Sequence, residues 1–274
     1  MAESTRAGAS GTRWDPGQYQ KFGDHRLRPA LDLLGQVPCA APALIYDLGC
    51  GPGNVTRIIA ERWPQAQVIG VDNSPQMLEK ARAQASRIEW LEADIHTWEP
   101  PSPPDLIYSN ATLQWVDGHA KLFPRLLSLV SPGGCFAAQM PLSRQMISHR
   151  LMVEVLRSER PQGEALGDDG LIAAMSRKWV LDAEEYYDLL GPGSEATNIW
   201  HSEYLQELTG DDPVLEWVTA TGLRPVLTGL DDDARAEYVE RYRQRLREAY
   251  PARAGGVTLY PFRRLFMVAV RAGG

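Results

Sequence analysis

Short apolar runs alternate with amphipathic stretches through the first half of the chain. ALIYDL (43–48), VIGVD (68–72), IEWLEAD (88–94), DLIYSN (105–110) and CFAAQM (135–140) have the length and composition of strands. Between them lie stretches with helical spacing. DHRLRPALDLLGQ (24–36) places Leu31 and Leu34 on one face and tolerates Pro29 in a first turn. NVTRIIAERW (54–63) suits a helix capped by Asn54 or Thr56, and SPQMLEKARAQA (74–85) opens with a serine cap and a proline at the first helical position. KLFPRLLSLV (121–130) reads as a helix stopped by Ser131-Pro132-Gly133-Gly134. Strands alternating with helices at such short intervals predict βαβ units and a mostly parallel sheet, with residues 14–140 forming the main core.

The second half follows another pattern. Residues 141–196 read as helix and loop, and ATNIWHSEYLQEL (196–208) alternates like a strand. Residues 212–221 and 233–250 look helical; in the latter Tyr238, Tyr242 and Leu246 recur every four positions. TLYPFRRLFMVAVRA (258–272) closes the chain as a strand. Two late strands separated by helices predict an antiparallel pair finishing the sheet, with the inserts as a lid over its carboxyl edge.

Composition narrows the function. With 274 residues, 44% apolar and 23% charged, the chain can bury a substantial core. Its net charge of −7 disfavours general attraction to nucleic acid or to anionic membranes. An anionic small substrate would need a local cluster of cations. Cys39, Cys50 and Cys135 have neither zinc-site nor disulfide-framework spacing, which predicts a reduced cytoplasmic protein and no metal site. Residues 1–13 are small and polar, unlike a signal peptide, and are expected to be disordered. No window reaches the roughly 18 apolar residues of a membrane span.

The sharpest local signal is Asp47-Leu48-Gly49-Cys50-Gly51-Pro52-Gly53-Asn54, between a strand and a helix, where open α/β sheets bind ligands. A P-loop requires Lys-Ser/Thr after its last glycine, and here Asn54-Val55 follows. A dinucleotide fingerprint requires a glycine at position 54, and Asp47 would be a poor neighbour for a pyrophosphate. S-adenosylmethionine reverses these requirements. It has no phosphate and carries a sulfonium and an ammonium, which suit an acidic strand end. Closely spaced glycines let the backbone approach its methionine part. Asp72, 19 residues beyond Gly53, can accept both ribose hydroxyls. Asp94, at the end of the third strand, can accept from the adenine amino group, with Ile95 against the ring.

This core, about residues 40–140, resembles the class I S-adenosylmethionine-dependent methyltransferase family. The resemblance implies a doubly wound, Rossmann-like α/β fold with a seven-stranded sheet whose last strand is inserted antiparallel. It also implies a cofactor set of Asp47, Gly49, Cys50, Gly51, Gly53, Asn54, Asp72, Asn73, Met77, Asp94, Ile95, Asn110, Ala111 and Trp115. One methyltransferase domain is expected over 14–274: a core with an N-terminal lid segment (14–140), substrate-cap insertions around a late strand (141–257) and a closing strand (258–274).

WDPGQYQKFGDHRLRP (14–29), NATLQWVDGH (110–119), AQMP (138–141), AEEYYDLL (183–190), EWVTATGLRP (216–225) and YPFRRLFMVA (260–269) resemble the trans-aconitate methyltransferases more narrowly. That resemblance implies esterification of one carboxylate of a small tricarboxylate. A carboxylate is ionised near pH 7, its pKa lying near about 4, so it needs no general base. Orientation suffices, and neither a catalytic triad nor a metal is called for. Tyr19, His25, Arg26, Arg28, Gln114, Trp115, His149 and Tyr204 are the expected substrate contacts, arginine being suited to bidentate carboxylate binding. Arg26 and Arg28 have an alternative role in holding the lid, and Trp115 and His149 have alternative structural roles. Strand alternation allows at most one of Arg263 and Arg264 to face the pocket. The chain departs from the family at Ser143 and Arg144, where an Asn and an aromatic residue are common, and at Gln206, where histidine is common.

Three alternatives stay open. One is another metabolite carboxylate, hydroxyl or amine as acceptor; for the last two His25 and His149 are the candidate bases. Another is cofactor binding without chemistry. The third, nucleic-acid methylation, is disfavoured by the acidity and by Ala111-Thr112 after Asn110, where base-flipping enzymes carry prolines. Oligomeric state is not legible.

Overall fold

A computed structural model describes residues 27–161 and 163–273. Tyr19, His25 and Arg26, and residues 1–13 with their expected disorder, lie outside the described residues.

Helix α1 (Leu27–Gly35) leads into β1 (Leu44–Leu48), α2 (Asn54–Arg62), β2 (Gln67–Asp72), α3 (Pro75–Arg82), β3 (Glu89–Glu92), β4 (Leu106–Asn110), α4 (His119–Leu129) and β5 (Cys135–Pro141). The strands lie in the order β3-β2-β1-β4-β5, all parallel. The runs that form β1, β2, β4 and β5 are strands with both faces covered, whereas β3 at the sheet edge is largely exposed. Ile45, Leu106, Tyr108, Cys135 and Ala137 face α1 and α2, while Tyr46, Leu48, Ile107, Phe136 and Ala138 face α4 and its neighbours. The Tyr108 hydroxyl donates to the Ala30 carbonyl at 2.7 Å and ties α1 to the middle of the sheet.

The second half divides into α5 (Ile147–Leu156), α6 (Asp169–Ser176), α7 (Ala183–Leu190), β6 (Ser194–Thr209), α8 (Pro213–Thr219), α9 (Arg224–Gly229), α10 (Asp232–Ala249) and β7 (Val257–Arg271). Among the described residues the region read only as helix and loop thus holds three α-helices, and α9 escaped the sequence reading. Strand β7 is antiparallel to both neighbours and lies between β5 and β6, completing seven strands.

The lengths of these last strands determine where the cap sits. Strand β5 pairs with β7 only from Cys135↔Val270 to Pro141↔Arg264. The rest of β7, from Arg263 back to Val257, pairs with β6 alone and projects past the carboxyl edge of the sheet. Tyr260 and Phe262 on this overhang join a separate apolar cluster with α5, α6 and α8 to α10. Tyr238, Tyr242 and Leu246, the four-residue repeat of α10, are buried in it. No helix among the described residues is long and apolar enough to cross a membrane.

Candidate active site

The glycine loop joins β1 to α2 at the carboxyl edge. Gly49, Gly51 and Gly53 have φ of 73°, 54° and 81°, a left-handed region that other residues adopt at a cost. The amides of Gly49 and Cys50 donate to the Val71 carbonyl at 2.7 and 3.0 Å, anchoring the loop to β2. A Cβ on Gly49 would lie 2.0 Å from Thr112 Cγ2, whereas one on Gly51 would meet nothing within 4 Å. The space over Gly51 is therefore open, and the backbone there can be approached closely.

Gly53 itself caps α2, with no side-chain hydrogen bond to the helix end. This corrects the assignment of Asn54 or Thr56 as the cap. A left-handed glycine turns the chain straight into the helix, so Asn54 is its first residue and is exposed. Thr56 instead donates from Oγ1 to Asp47 Oδ2 at 2.6 Å. Asp47 is 2% exposed, and burial pushes its carboxyl up to about 7, the nearby Asp72 adding to the effect against the Thr56 hydrogen bond. Cys50, also buried, has its thiol pushed up by burial and by Asp47 and Asp72.

Asp72 ends β2 and spans the loop. Its Oδ2 accepts from the Gly51 amide at 2.8 Å and its Oδ1 from the Ser74 amide at 2.9 Å. Each carboxylate oxygen keeps lone-pair capacity for a further donor, and the residue is half-buried. Ser74 caps α3, accepting from the Met77 amide at 3.4 Å. Asn73 and Met77 are exposed beside it. Strand β3 stops at Glu92, so Asp94 lies in the turn beyond it and not at the strand end. The reason is local: Asp94 accepts the His96 amide on Oδ1 at 2.9 Å and the Trp98 amide on its carbonyl at 2.7 Å, a turn incompatible with further pairing. Asp94 is exposed, and Ile95 is 8% exposed within the core.

After β4 the chain passes through Ala111 at φ 54°, a strained conformation for a non-glycine residue. The Ala111 amide donates to Gln139 O at 2.9 Å, and Gln114 Nε2 donates to Ala111 O at 2.7 Å. Trp115 is 69% exposed. Open backbone over Gly51, acidic groups at Asp47, Asp72 and Asp94, and the absence of any phosphate-binding lysine in the loop fit a cationic, phosphate-free nucleoside cofactor.

Of the expected substrate contacts among the described residues, Arg28 and Tyr204 come together, whereas His149 lies on another element. Arg28 is exposed on α1, 3.9 Å from Asp32 and 5.3 Å from the Tyr204 ring centroid. The Tyr204 hydroxyl donates to Asp32 Oδ2 at 2.7 Å, so all three bind α1 to β6. His149, on α5, lies 3.2 Å from the Met175 carbonyl, and burial lowers its pKa. Arg144 donates to the Ser176 carbonyl at the end of α6, and Gln206 is buried on β6. Alternation separates the arginine pair as expected: Arg263 is exposed, 3.9 Å from Glu203, and Arg264 is 6% exposed.

The sequence reading missed Gln139. It is a polar residue inside an apolar strand, which was the available signal. Its Nε2 donates to Asn110 Oδ1 at 2.6 Å, and its Oε1 accepts from Arg264 Nη1 at 2.9 Å. His119 was also missed. It is buried between the Tyr186 hydroxyl at 2.6 Å and the Leu113 carbonyl at 2.9 Å.

Residues 45–134 match a family described as a methyltransferase domain. The chain is similar in fold to a putative methyltransferase from Bacillus halodurans, with TM-score 0.56 and 12% identity over 90% of this chain and 100% of that one. It is likewise similar to Haemonchus contortus phosphoethanolamine N-methyltransferase 2, with TM-score 0.53 and 17% identity over 94% and 57% of the two chains. Fold and loop thus define an S-adenosylmethionine-dependent methyltransferase of class I architecture. The sequence is 46% identical to trans-aconitate 2-methyltransferase of Methylobacterium radiotolerans, covering 94% of this chain and 98% of that protein. The Streptomyces coelicolor enzyme of that name is also 46% identical, over 97% and 89%. The chain belongs to the trans-aconitate 2-methyltransferase family.

Proposed function

We propose that this enzyme esterifies one carboxylate of a small tricarboxylate, trans-aconitate, to give a monomethyl ester. The observation that carries the reading is the full-length kinship, which extends through the cap and the last two strands. Those parts lie outside the matched methyltransferase domain, which spans residues 45–134.

S-adenosylmethionine, when bound, supplies an electrophilic methyl group on a cationic sulfur. Asp47, Asp72 and Asp94 are the residues proposed to hold it, with Gly51 allowing close approach and Asn73, Met77, Ile95 and Trp115 at its borders. The chain's remaining task is to orient an acceptor that is already a nucleophile and to exclude water, which can supply a large share of the rate. No proton has to be removed. A small anionic acceptor, not nucleic acid, accords with the net charge of −7, and a cytoplasmic location accords with three free cysteines.

The test is an acceptor screen with purified protein and labelled cofactor, using trans-aconitate, cis-aconitate, isocitrate and citrate. Preferred labelling of trans-aconitate as a base-labile monoester supports the proposal, and product analysis identifies the esterified carboxylate. No labelling of any carboxylate, with transfer to a hydroxyl or amine acceptor instead, overturns it.

A further inference from the structure

Three polar side chains cross the carboxyl edge of the sheet on the α1 face. Asn110 of β4 is the register partner of Gln139 of β5, and Arg264 of β7 is the partner of Pro141 two residues on. Gln139 and Arg264 are 1% and 6% exposed, whereas Asn110 is half-buried. The Arg264 guanidinium also lies 4.8 Å from the Phe262 ring centroid.

The chemistry of these groups orients the whole row. A guanidinium only donates, so the Gln139 oxygen must face it at 2.9 Å. The Gln139 amide nitrogen must then face Asn110, where it donates to Oδ1 at 2.6 Å. With its oxygen so engaged, Asn110 can present only Nδ2, a donor, to the space beyond β4. No protein acceptor for that nitrogen is found among the described residues. Without Arg264 either amide could rotate by 180° and present an acceptor instead. The buried positive charge also polarises both amides in the same sense.

We propose that Arg264 is a positioning residue that acts through Gln139 to aim the Asn110 amide N–H groups at a carboxylate of the acceptor. The inference rests on the carboxylate-acceptor reading above and adds the residues that recognise the anion. Arg264 itself stays behind the amides and does not neutralise the acceptor by direct contact. That arrangement holds an acceptor oxygen by neutral donors and leaves it nucleophilic, whereas a direct ion pair would withdraw more of its charge.

Gln139→Glu separates this role from simple packing. Glutamate keeps the shape and accepts from Arg264, but it has no donor for Asn110. Asn110 must then turn Nδ2 inward and present its oxygen to the acceptor. The measurements are calorimetric titration of trans-aconitate into protein saturated with S-adenosylhomocysteine, together with steady-state kinetics. The expected result is an acceptor Kd and KM raised by roughly tenfold or more, with the S-adenosylhomocysteine Kd changed less than about twofold. Arg264→Lys, which keeps a donor for Gln139, should retain most acceptor affinity, and Arg264→Met should lose it. Acceptor affinity within about twofold of wild type in folded Gln139→Glu would overturn the proposal. So would a proportional loss of S-adenosylhomocysteine binding. If Gln139→Glu does not fold, Arg264→Lys set against Arg264→Met is judged by the same two criteria. A wild-type protein that binds no tricarboxylate would refute the acceptor reading itself, whereas wild-type binding with an unaffected variant would refute only the positioning role.

Discussion

Thr56 reaches back from the first turn of α2 to donate to Asp47 Oδ2 at 2.6 Å, within a site that leaves Asp47 only 2% exposed. One hydroxyl is weak compensation for a carboxylate taken out of water, and the carboxyl is accordingly pushed up to about 7 from 3.8. The folded chain therefore binds more protons than the unfolded chain between those values. Its stability falls as pH rises through that window. Asp47→Asn removes this contribution. In thermal melts of cofactor-free protein, the variant should gain about 2–3 kcal/mol over wild type on going from pH 5 to pH 8. A difference independent of pH would show that Asp47 is already ionised in the fold at pH 5.

The same carboxylate couples cofactor binding to pH. A cationic methyl donor favours ionised Asp47, so its binding should release a proton near neutrality. Cofactor affinity should weaken as pH falls below about 7. Titration calorimetry in buffers of different ionisation enthalpy reads the released proton directly. Asp47→Asn should abolish both the pH dependence and most of the affinity.

Asp72 joins the loop to α3 by accepting the amides of Gly51 and Ser74. Asp72→Ala should raise the cofactor Kd by roughly tenfold or more while lowering stability by about 1 kcal/mol, because water can reach the half-buried amides it abandons. Equilibrium dialysis and denaturant melts separate the two effects. An unchanged cofactor Kd would remove Asp72 from the binding set.

Gly49 meets both a steric and a conformational demand. Its φ is 73°, and an added Cβ would lie 2.0, 2.2 and 2.5 Å from Cγ2, Oγ1 and Cβ of Thr112. Gly49→Ala should cost about 2–4 kcal/mol, from overpacking together with the left-handed conformation. Thr112→Gly removes all three obstructing atoms. In the double variant the penalty at position 49 should shrink to about 1–2 kcal/mol, the conformational part alone. Denaturation midpoints of the four proteins provide the cycle.

Arg28 distinguishes substrate contact from anchoring. Its exposed ion pair with Asp32 should contribute at most about 1 kcal/mol. Arg28→Ala should raise the acceptor KM more than the cofactor Kd, with little change in melting temperature. Equal changes, matched by Tyr204→Phe, would assign Arg28 to holding α1 on β6 through the Tyr204–Asp32 hydrogen bond.

A carboxylate acceptor predicts a kcat that is level above about pH 6 at saturating cofactor, since no base titrates in the step. His149 is the described histidine to vary; its lowered pKa reflects burial and the nearby Arg144. A fall in kcat on the acid side of the ordinary imidazole range that disappears in His149→Gln would indicate a hydroxyl or amine acceptor.

Local chemistry made the sheet core legible. Five short apolar runs and their intervening helices were readable within a few residues because β1, β2, β4 and β5 are buried on both faces, the edge strand β3 excepted, and each turn has its own chemistry. Ser74 and Pro75 open α3, and left-handed glycines shape the loop before α2. The alternation that separated exposed Arg263 from buried Arg264 is also a local property, since successive strand residues point to opposite faces. Asp47 and Asp72 could be placed at strand ends from sequence for the same reason, and kinship in the cap segments indicated the acceptor class.

Tertiary structure alone decided what those side chains touch. Thr56 had the look of a helix cap, yet it serves Asp47, because Gly53 already turns the chain into α2. Asp94 falls past β3 because its own side chain and carbonyl close a turn. The row of Asn110, Gln139 and Arg264 joins residues up to 154 positions apart along the chain. It exists because β7 inserts between β5 and β6, and such pairing depends on the register of distant strands. Sequence period sets the face on which a residue lies, whereas the direction of a hydrogen bond depends on which donor the completed sheet brings opposite it.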